Sequence, residues 1–188
     1  MRELLEAIVD ELSAGNSAML ATIVARRGSA PRGVGTAMVV SQSGAQTGTV
    51  GGGSVEYRVR QDATQLLLQK QCALREYDIH TDDSNAGTGS VQVLFRPISG
   101  ERGRALAEGI LAAIDAGEAA YLVCDLSETC GFSSDVLDAQ TLCALAGLDC
   151  PPGQPVVTEG ELKRLIEPLL DAPRVVLFGG GHVAQCMA

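Results

Sequence analysis

An unbroken apolar run, AMLATIVA at residues 18–25, is the strongest constraint on how this chain folds. Successive side chains of a strand point to opposite faces, so a strand that is apolar throughout must be covered on both sides. Residues 17–26 therefore read as a central strand of a layered α/β domain. The run opens at its C-terminal end into Arg26-Arg27-Gly28-Ser29-Ala30-Pro31-Arg32-Gly33-Val34-Gly35. Ligands of layered α/β sheets sit at such strand ends.

A second glycine turn, Gly51-Gly52-Gly53-Ser54, follows a hairpin of residues 36–41 and 45–50 turned at Ser43-Gly44. It runs straight into a helix of residues 54–70, with Val55, Val59, Ala63, Leu66 and Leu67 on one face. Gly53 reads as the N-cap and Glu56 as the third helical residue of a capping box. A glycine turn at a helix N-terminus offers free N–H groups and the positive end of the helix dipole, which suits an anion. Arg26, Arg27 and Arg32 add positive charge nearby. Taken singly, each feature is also explained by tight turns and solvated arginines, and Glu56 by helix capping alone. The case for a site is that two turns and three arginines fall within one hairpin's reach.

Elsewhere, periodicity predicts helices over residues 2–14, 101–116, 138–146 and 159–170, the last opposed by Pro168. Strands are expected at 72–80, at an edge or half-exposed position, at 91–95, ended by Pro97, and at 119–126. The polar stretch 81–90 and the proline-rich stretch 147–155 read as loops. The fold class expected is α/β, a layered mixed-sheet N-terminal domain.

Residues 174–178 form a short apolar run followed by Gly179-Gly180-Gly181-His182-Val183-Ala184. A strand leading into G-x-G-x-x-A is the dinucleotide-binding fingerprint, its glycines permitting close approach of a pyrophosphate. A βαβ unit needs about 30 residues, more than residues 174–188 provide. The expected organisation is thus a domain over 1–170, then a linker and an incomplete Rossmann-like start over 171–188. NAD(P) binding is expected only if that second domain is completed.

Composition narrows the function. The formal charge is −9, from 14 Lys and Arg against 23 Asp and Glu. Aromatics make up 3% and Trp is absent, so both the basic footprint and the stacking platforms of nucleic-acid binders are missing. No apolar run reaches membrane-span length and no signal peptide opens the chain, so a cytoplasmic protein is expected. The six cysteines include no C-x-x-C pair, and the histidines are His80 and His182, so no zinc site is expected. The thiols are read as reduced and mostly buried, with Cys130 the most exposed. No catalytic triad or paired carboxylates stand out, so no catalytic residue is assigned.

Three stretches together, "RGSAPR" at 27–32, "GTVGGGSVE" at 48–56 and "FGGGHVA" at 178–184, resemble the xanthine dehydrogenase accessory factors, the XdhC/CoxI-like family. The resemblance implies a maturation factor, more a cofactor-insertion chaperone than a catalyst. Such a factor binds the molybdenum cofactor (molybdopterin) and delivers it to a molybdenum hydroxylase such as xanthine or CO dehydrogenase, often after sulfuration. A cysteine desulfurase is then a further partner. The cofactor-binding residues implied are Arg27, Gly28, Ser29, Pro31, Arg32, Gly51, Gly52, Gly53 and Glu56, with Gly179, Gly181 and His182 in the fingerprint. Where the family often has Cys-Gly-Gly, this chain has Thr88-Gly89-Ser90. Two alternatives stay open: a fragment of an NAD(P)-dependent oxidoreductase, and a dimeric interaction module without ligand. A homodimer is expected through the apolar strand at 175–178.

Overall fold

A computed structural model describes residues 1–79, 89–117, 119–126, 134–158 and 163–169. The elements in order are α1 (Arg2–Ser13), β1 (Ala18–Gly28), β2 (Ala37–Ser41), β3 (Gln46–Gly48), α2 (Gly53–Gln69), β4 (Ala73–Ile79) and β5 (Gly89–Ile98). They continue with α3 (Gly100–Ala116), β6 (Ala120–Asp125), β7 (Ser134–Asp138), α4 (Ala139–Ala146), β8 (Val156–Val157) and β9 (Arg164–Leu169).

The expected α/β class is what forms. The first sheet has the order β3-β2-β1-β5-β4, with the apolar run at its centre, and the second the order β7-β6-β9-β8. Every pairing among the described strands is antiparallel. The mixture of strand directions expected from the sequence is therefore not found. Parallel neighbours need a long crossover, whereas β2–β3 is a tight hairpin and β5 runs back antiparallel between β1 and β4.

Both faces of β1 are buried, against different layers. Met19, Ala21 and Ile23 pack with Val55, Val59, Ala63 and Leu66 of α2. Ala18 and Leu20 pack with α1 and α3, and with Leu122 and Leu169 of the second sheet. The other face of the second sheet, at Tyr121, Val123 and Ile166, is covered by Leu142 of α4. The layers thus run α2, first sheet, then α1 and α3 beside the second sheet, then α4.

Two prolines depart from the expected pattern for one reason. Pro97 lies inside β5, opposite Met19, instead of ending the strand. Of the helix expected at 159–170, the described residues 163–169 hold strand β9 instead, with Pro168 opposite Tyr121; residues 159–162 and 170 fall outside the described residues. β4 begins at Ala73 opposite Phe95, and β8 ends its pairing opposite Leu165 and Ile166. Each proline therefore has a strand neighbour on one side only, where a missing N–H is tolerated. Burial of Leu165, Ile166 and Leu169 between layers outweighs the local helical preference.

A charged pair crosses the apolar layer between the sheets. Arg96 of β5 and Glu167 of β9 are 6% and 1% exposed and meet at 3.4 Å. Arg96 also donates to the Thr22 hydroxyl of β1 at 3.3 Å. Burial pushes the Glu167 carboxyl above its ordinary range, against the pull of the Arg96 charge. Removing one partner strands a buried charge, which costs about 3–5 kcal/mol, whereas a well-packed apolar pair is often neutral. Glu167→Ala or Arg96→Met should therefore lower unfolding stability by about that amount in urea titrations. The double variant Arg96→Met/Glu167→Leu should recover most of the loss; additive losses would show that the pair does not act as a unit.

Candidate functional site

The candidate site lies where β1 leaves the layers. Ala18 to Val24 are buried, while Arg26, Arg27 and Gly28 are exposed. A β-bulge between Ile23 and Ala25 shifts the register, so that Ile23 opposes Val93 but Arg26 opposes Val91. Opposed residues share a face, and Val91 and Val93 both belong to the α2 side of the sheet. The extra residue thus re-aims Arg26 onto the α2 face, and Arg27, opposite Ser90, onto the other.

The two glycine turns meet. A Cβ placed on Gly51 would lie 3.5 Å from Pro31 Cγ and 3.9 Å from Arg32 Cγ, so the second turn rests against the first. Gly89 closes in from the start of β5, where a Cβ would stand 2.7 Å from the Ser29 carbonyl oxygen. Only glycine fits that approach. Pro155, just before β8, closes in as well: a Cβ on Gly35 would clash with its ring.

α2 begins one residue earlier than expected. Its N-cap is Gly52, at φ 82, a conformation that a side chain strains, and no side chain caps the helix. Glu56 consequently sits at the fourth helical position and still reaches back to the cap. Its carboxylate accepts from the Gly52 N–H at 3.0 Å, the Val50 N–H at 3.3 Å, Gln46 Nε2 at 3.0 Å and the Thr49 hydroxyl. Partial burial raises the Glu56 carboxyl, but these four donors outweigh it and hold the group below its ordinary value. Of the two roles open from the sequence, capping and turn-bracing are visible in this geometry. Gln46 and Thr49, which carry half of that bracing, drew no notice as residues; their cue is only their place in the hairpin's return strand.

The structure therefore brings Gly28, Ser29, Pro31, Arg32, Gly51, Gly52, Gly53 and Glu56 to one edge. Arg27 faces the opposite side of the sheet. Gly179, Gly181, His182 and Thr88 lie outside the described residues. Arg26, Arg27 and Arg32 are exposed and form no ion pair among the described residues. Nothing lies within 4 Å of a Cβ placed on Gly52 or Gly53, so the space before the cap is open. An uncapped helix start, open space before it and the stem of an exposed arginine form a ledge suited to an anionic oxygen group.

Residues 11–78 match the profile of the XdhC and CoxI family, a span that contains both turns. Over this span the chain is similar to that family. A crystal structure from Bacillus halodurans, described as a xanthine dehydrogenase, is similar in fold. The TM-score is 0.58 at 23% identity, over 71% of this chain and 40% of that one. The chain thus spans less than half the length of that protein. No curated protein matches the chain. Among the described residues, no helix is long and apolar enough to cross a membrane.

The thiols differ from the expectation. Of those described, Cys124 is buried and Cys143 half-buried, while Cys72 and Cys150 are exposed; Cys130 lies outside the described residues. Cys72 immediately precedes edge strand β4, and Cys150 lies in a loop, so neither is drawn into an interlayer core.

The Glu56 brace has a definite pH signature. Its folded-state pKa is depressed below 4.5, so its contribution is complete above that value and is lost as pH falls through the depressed one. Amide exchange at Val50 and Gly52 should accelerate on acidification through that window. Glu56→Gln should remove the acid limb and cost about 1 kcal/mol at neutral pH. An unchanged acid limb in the variant would assign it to another carboxylate.

Proposed function

We propose that this chain is a maturation factor that holds the molybdenum cofactor by its phosphate and hands it to a molybdenum hydroxylase of the xanthine dehydrogenase type. The reading rests above all on the contact between the two glycine turns, which sets Arg32 beside an uncapped helix start. The similarity to the XdhC and CoxI family over residues 11–78 supports the association with a xanthine dehydrogenase-type client.

The residues fit the anionic end of such a cofactor. Gly52 and Gly53 leave open space where side chains would stand, at the end of α2 that favours negative charge. Arg32 supplies a charged donor, and Gly28, Ser29 and Pro31 shape the facing wall. Glu56 is committed to bracing, so its role toward the cofactor is to fix the turn. Residues 1–170 form the cofactor-holding domain in this proposal, and 171–188 open a Rossmann-like domain. The cofactor brings the metal and sulfur chemistry; this chain binds and orients.

The test is a titration of the protein with molybdenum cofactor released from a donor enzyme, with NAD as competitor. Saturable binding that NAD does not displace is expected. Arg32→Ala should weaken it at least about tenfold, the loss of a charge-assisted contact. Gly52→Val should abolish it, since a β-branched residue resists φ 82. Circular dichroism checks that both variants fold. No saturable binding, or equal binding by folded variants, would leave the turns purely structural.

A further inference from the structure

The outer face of α2 carries the two most exposed large apolar side chains among the described residues, Leu68 at 72% and Tyr57 at 54% exposed. They stand about three helical turns apart. Tyr57, Gln61, Thr64 and Leu68 follow the four-three-four spacing of one helical stripe. That stripe lies on the side away from Val59, Ala63 and Leu66, which pack on the first sheet.

Tyr57 is held in place by its neighbours. Gln61 Nε2 donates to its hydroxyl at 2.8 Å, and the Arg60 guanidinium lies over its ring, 5.8 Å from the centroid. An exposed aromatic side chain ordered in this way gives up little rotamer freedom when a partner covers it. Tyrosine and arginine are also the residue types that carry much of the binding energy at protein interfaces.

The charges select the partner. α2 has two carboxylates, and both are committed at its flanks: Glu56 to the glycine turn, and Asp62 to Arg75 at 2.6 Å and to the Tyr77 hydroxyl. Arg58 and Arg60 are exposed and join no ion pair among the described residues; Arg58 donates to the Asp78 carbonyl at 2.6 Å. The tip of the β2–β3 hairpin, at Gly44, flanks the stripe, and residues 41–48 carry no charge. The face is thus a positive island on a chain of net charge −9. Two copies of it would set guanidinium groups against guanidinium groups. A bilayer calls for a broad apolar face, and here Gln61 and Thr64 divide the two apolar residues. An acidic protein segment with apolar side chains complements both the charges and the anchors.

We propose that the outer face of α2 is a docking surface for an acidic amphipathic protein segment, its carboxylates at Arg58 and Arg60 and its apolar side chains on Tyr57 and Leu68. The surface lies outside the glycine turns, and the proposal does not rest on the cofactor reading.

The probe is a fluorescein-labelled helical peptide of glutamate, alanine and leucine, titrated with the full chain and followed by fluorescence anisotropy. The same peptide with lysine for glutamate, and labelled polyglutamate, are titrated beside it; phosphatidylserine vesicles are tested by co-sedimentation. Saturable binding of the acidic peptide is expected, weakened by added salt, with polyglutamate weaker and the lysine peptide and vesicles unbound. Arg60→Glu should weaken it at least about tenfold and Leu68→Ser at least about fivefold, with circular dichroism unchanged because both positions are exposed. Arg32→Ala should leave peptide binding as it is. Absence of saturable binding, or binding that survives Arg60→Glu and Leu68→Ser undiminished, overturns the proposal. Loss on Arg32→Ala alone overturns it as well, since the peptide would then sit at the glycine turns. Vesicle binding as tight as peptide binding would assign the face to a membrane, and a dimer that Leu68→Ser dissociates in sedimentation would assign it to a second copy; either result overturns the acidic segment.

Discussion

Burial of β1 on both faces is the constraint from which the rest follows. Because Met19, Ala21 and Ile23 need one apolar layer and Ala18 and Leu20 another, the strand cannot lie at a surface. α2 satisfies the first requirement; α1, α3 and the second sheet satisfy the second. The only part of β1 left to solvent is its end, at Arg26, Arg27 and Gly28. The first glycine turn is thus carried by the central strand of the sheet, buried on both faces up to Val24. A site hung from such an element is held in place before any ligand arrives.

The second turn has no comparable strand behind it and is fixed by charge instead. Glu56 gathers two backbone amides, a side-chain amide and a hydroxyl onto one carboxylate. This uses the Gly52 and Val50 amides internally and places a negative charge beside the helix start. An anion approaching the same helix meets that charge as well as the dipole. The arginines are therefore needed for the electrostatics to favour an anion, and Arg32 is the one whose stem reaches the second turn. Glu56 and Arg32 divide the work: one holds the turn, the other offsets the charge that holding it introduces.

Much of this was readable where the determinant is local. The two-faced run at 18–25, the Ser43-Gly44 hairpin, and the periodic faces of α1, α2 and α3 all signal their elements within a few residues. The hidden features depend on partners distant in sequence. β9 carries helix-forming residues, and only the layers that bury Leu165, Ile166 and Leu169 make it a strand. The Pro97 and Pro168 positions read as breaks because the sequence does not say where neighbouring strands stop. The bulge that turns Arg26 toward α2 shows only in the pairing with β5. At the site, the glycines and Arg32 were legible as motifs. Glu56 was legible only as a residue with two possible roles, because its donors Gln46 and Thr49 are ordinary polar residues until the hairpin folds back.

The pair Arg96–Glu167 spans 71 residues of sequence, and its place between the sheets suggests a purpose other than stability. The two sheets share no strand, so no hairpin turn fixes the register of one against the other. Leu165, Glu167 and Leu169 share the face of β9 turned toward the first sheet, while Ile166 packs against Leu142 of α4. A slip of β9 by one residue would exchange these faces. Apolar side chains would tolerate the exchange, since both sides are apolar. Glu167 would not: it would leave its guanidinium partner and enter the apolar cluster of Tyr121, Val123 and Leu142. A buried charge without a partner costs far more than a misplaced methyl group. The pair therefore adds little to the energy of the correct arrangement and much to the penalty of the wrong one, which is how an otherwise uniform apolar layer acquires a single register.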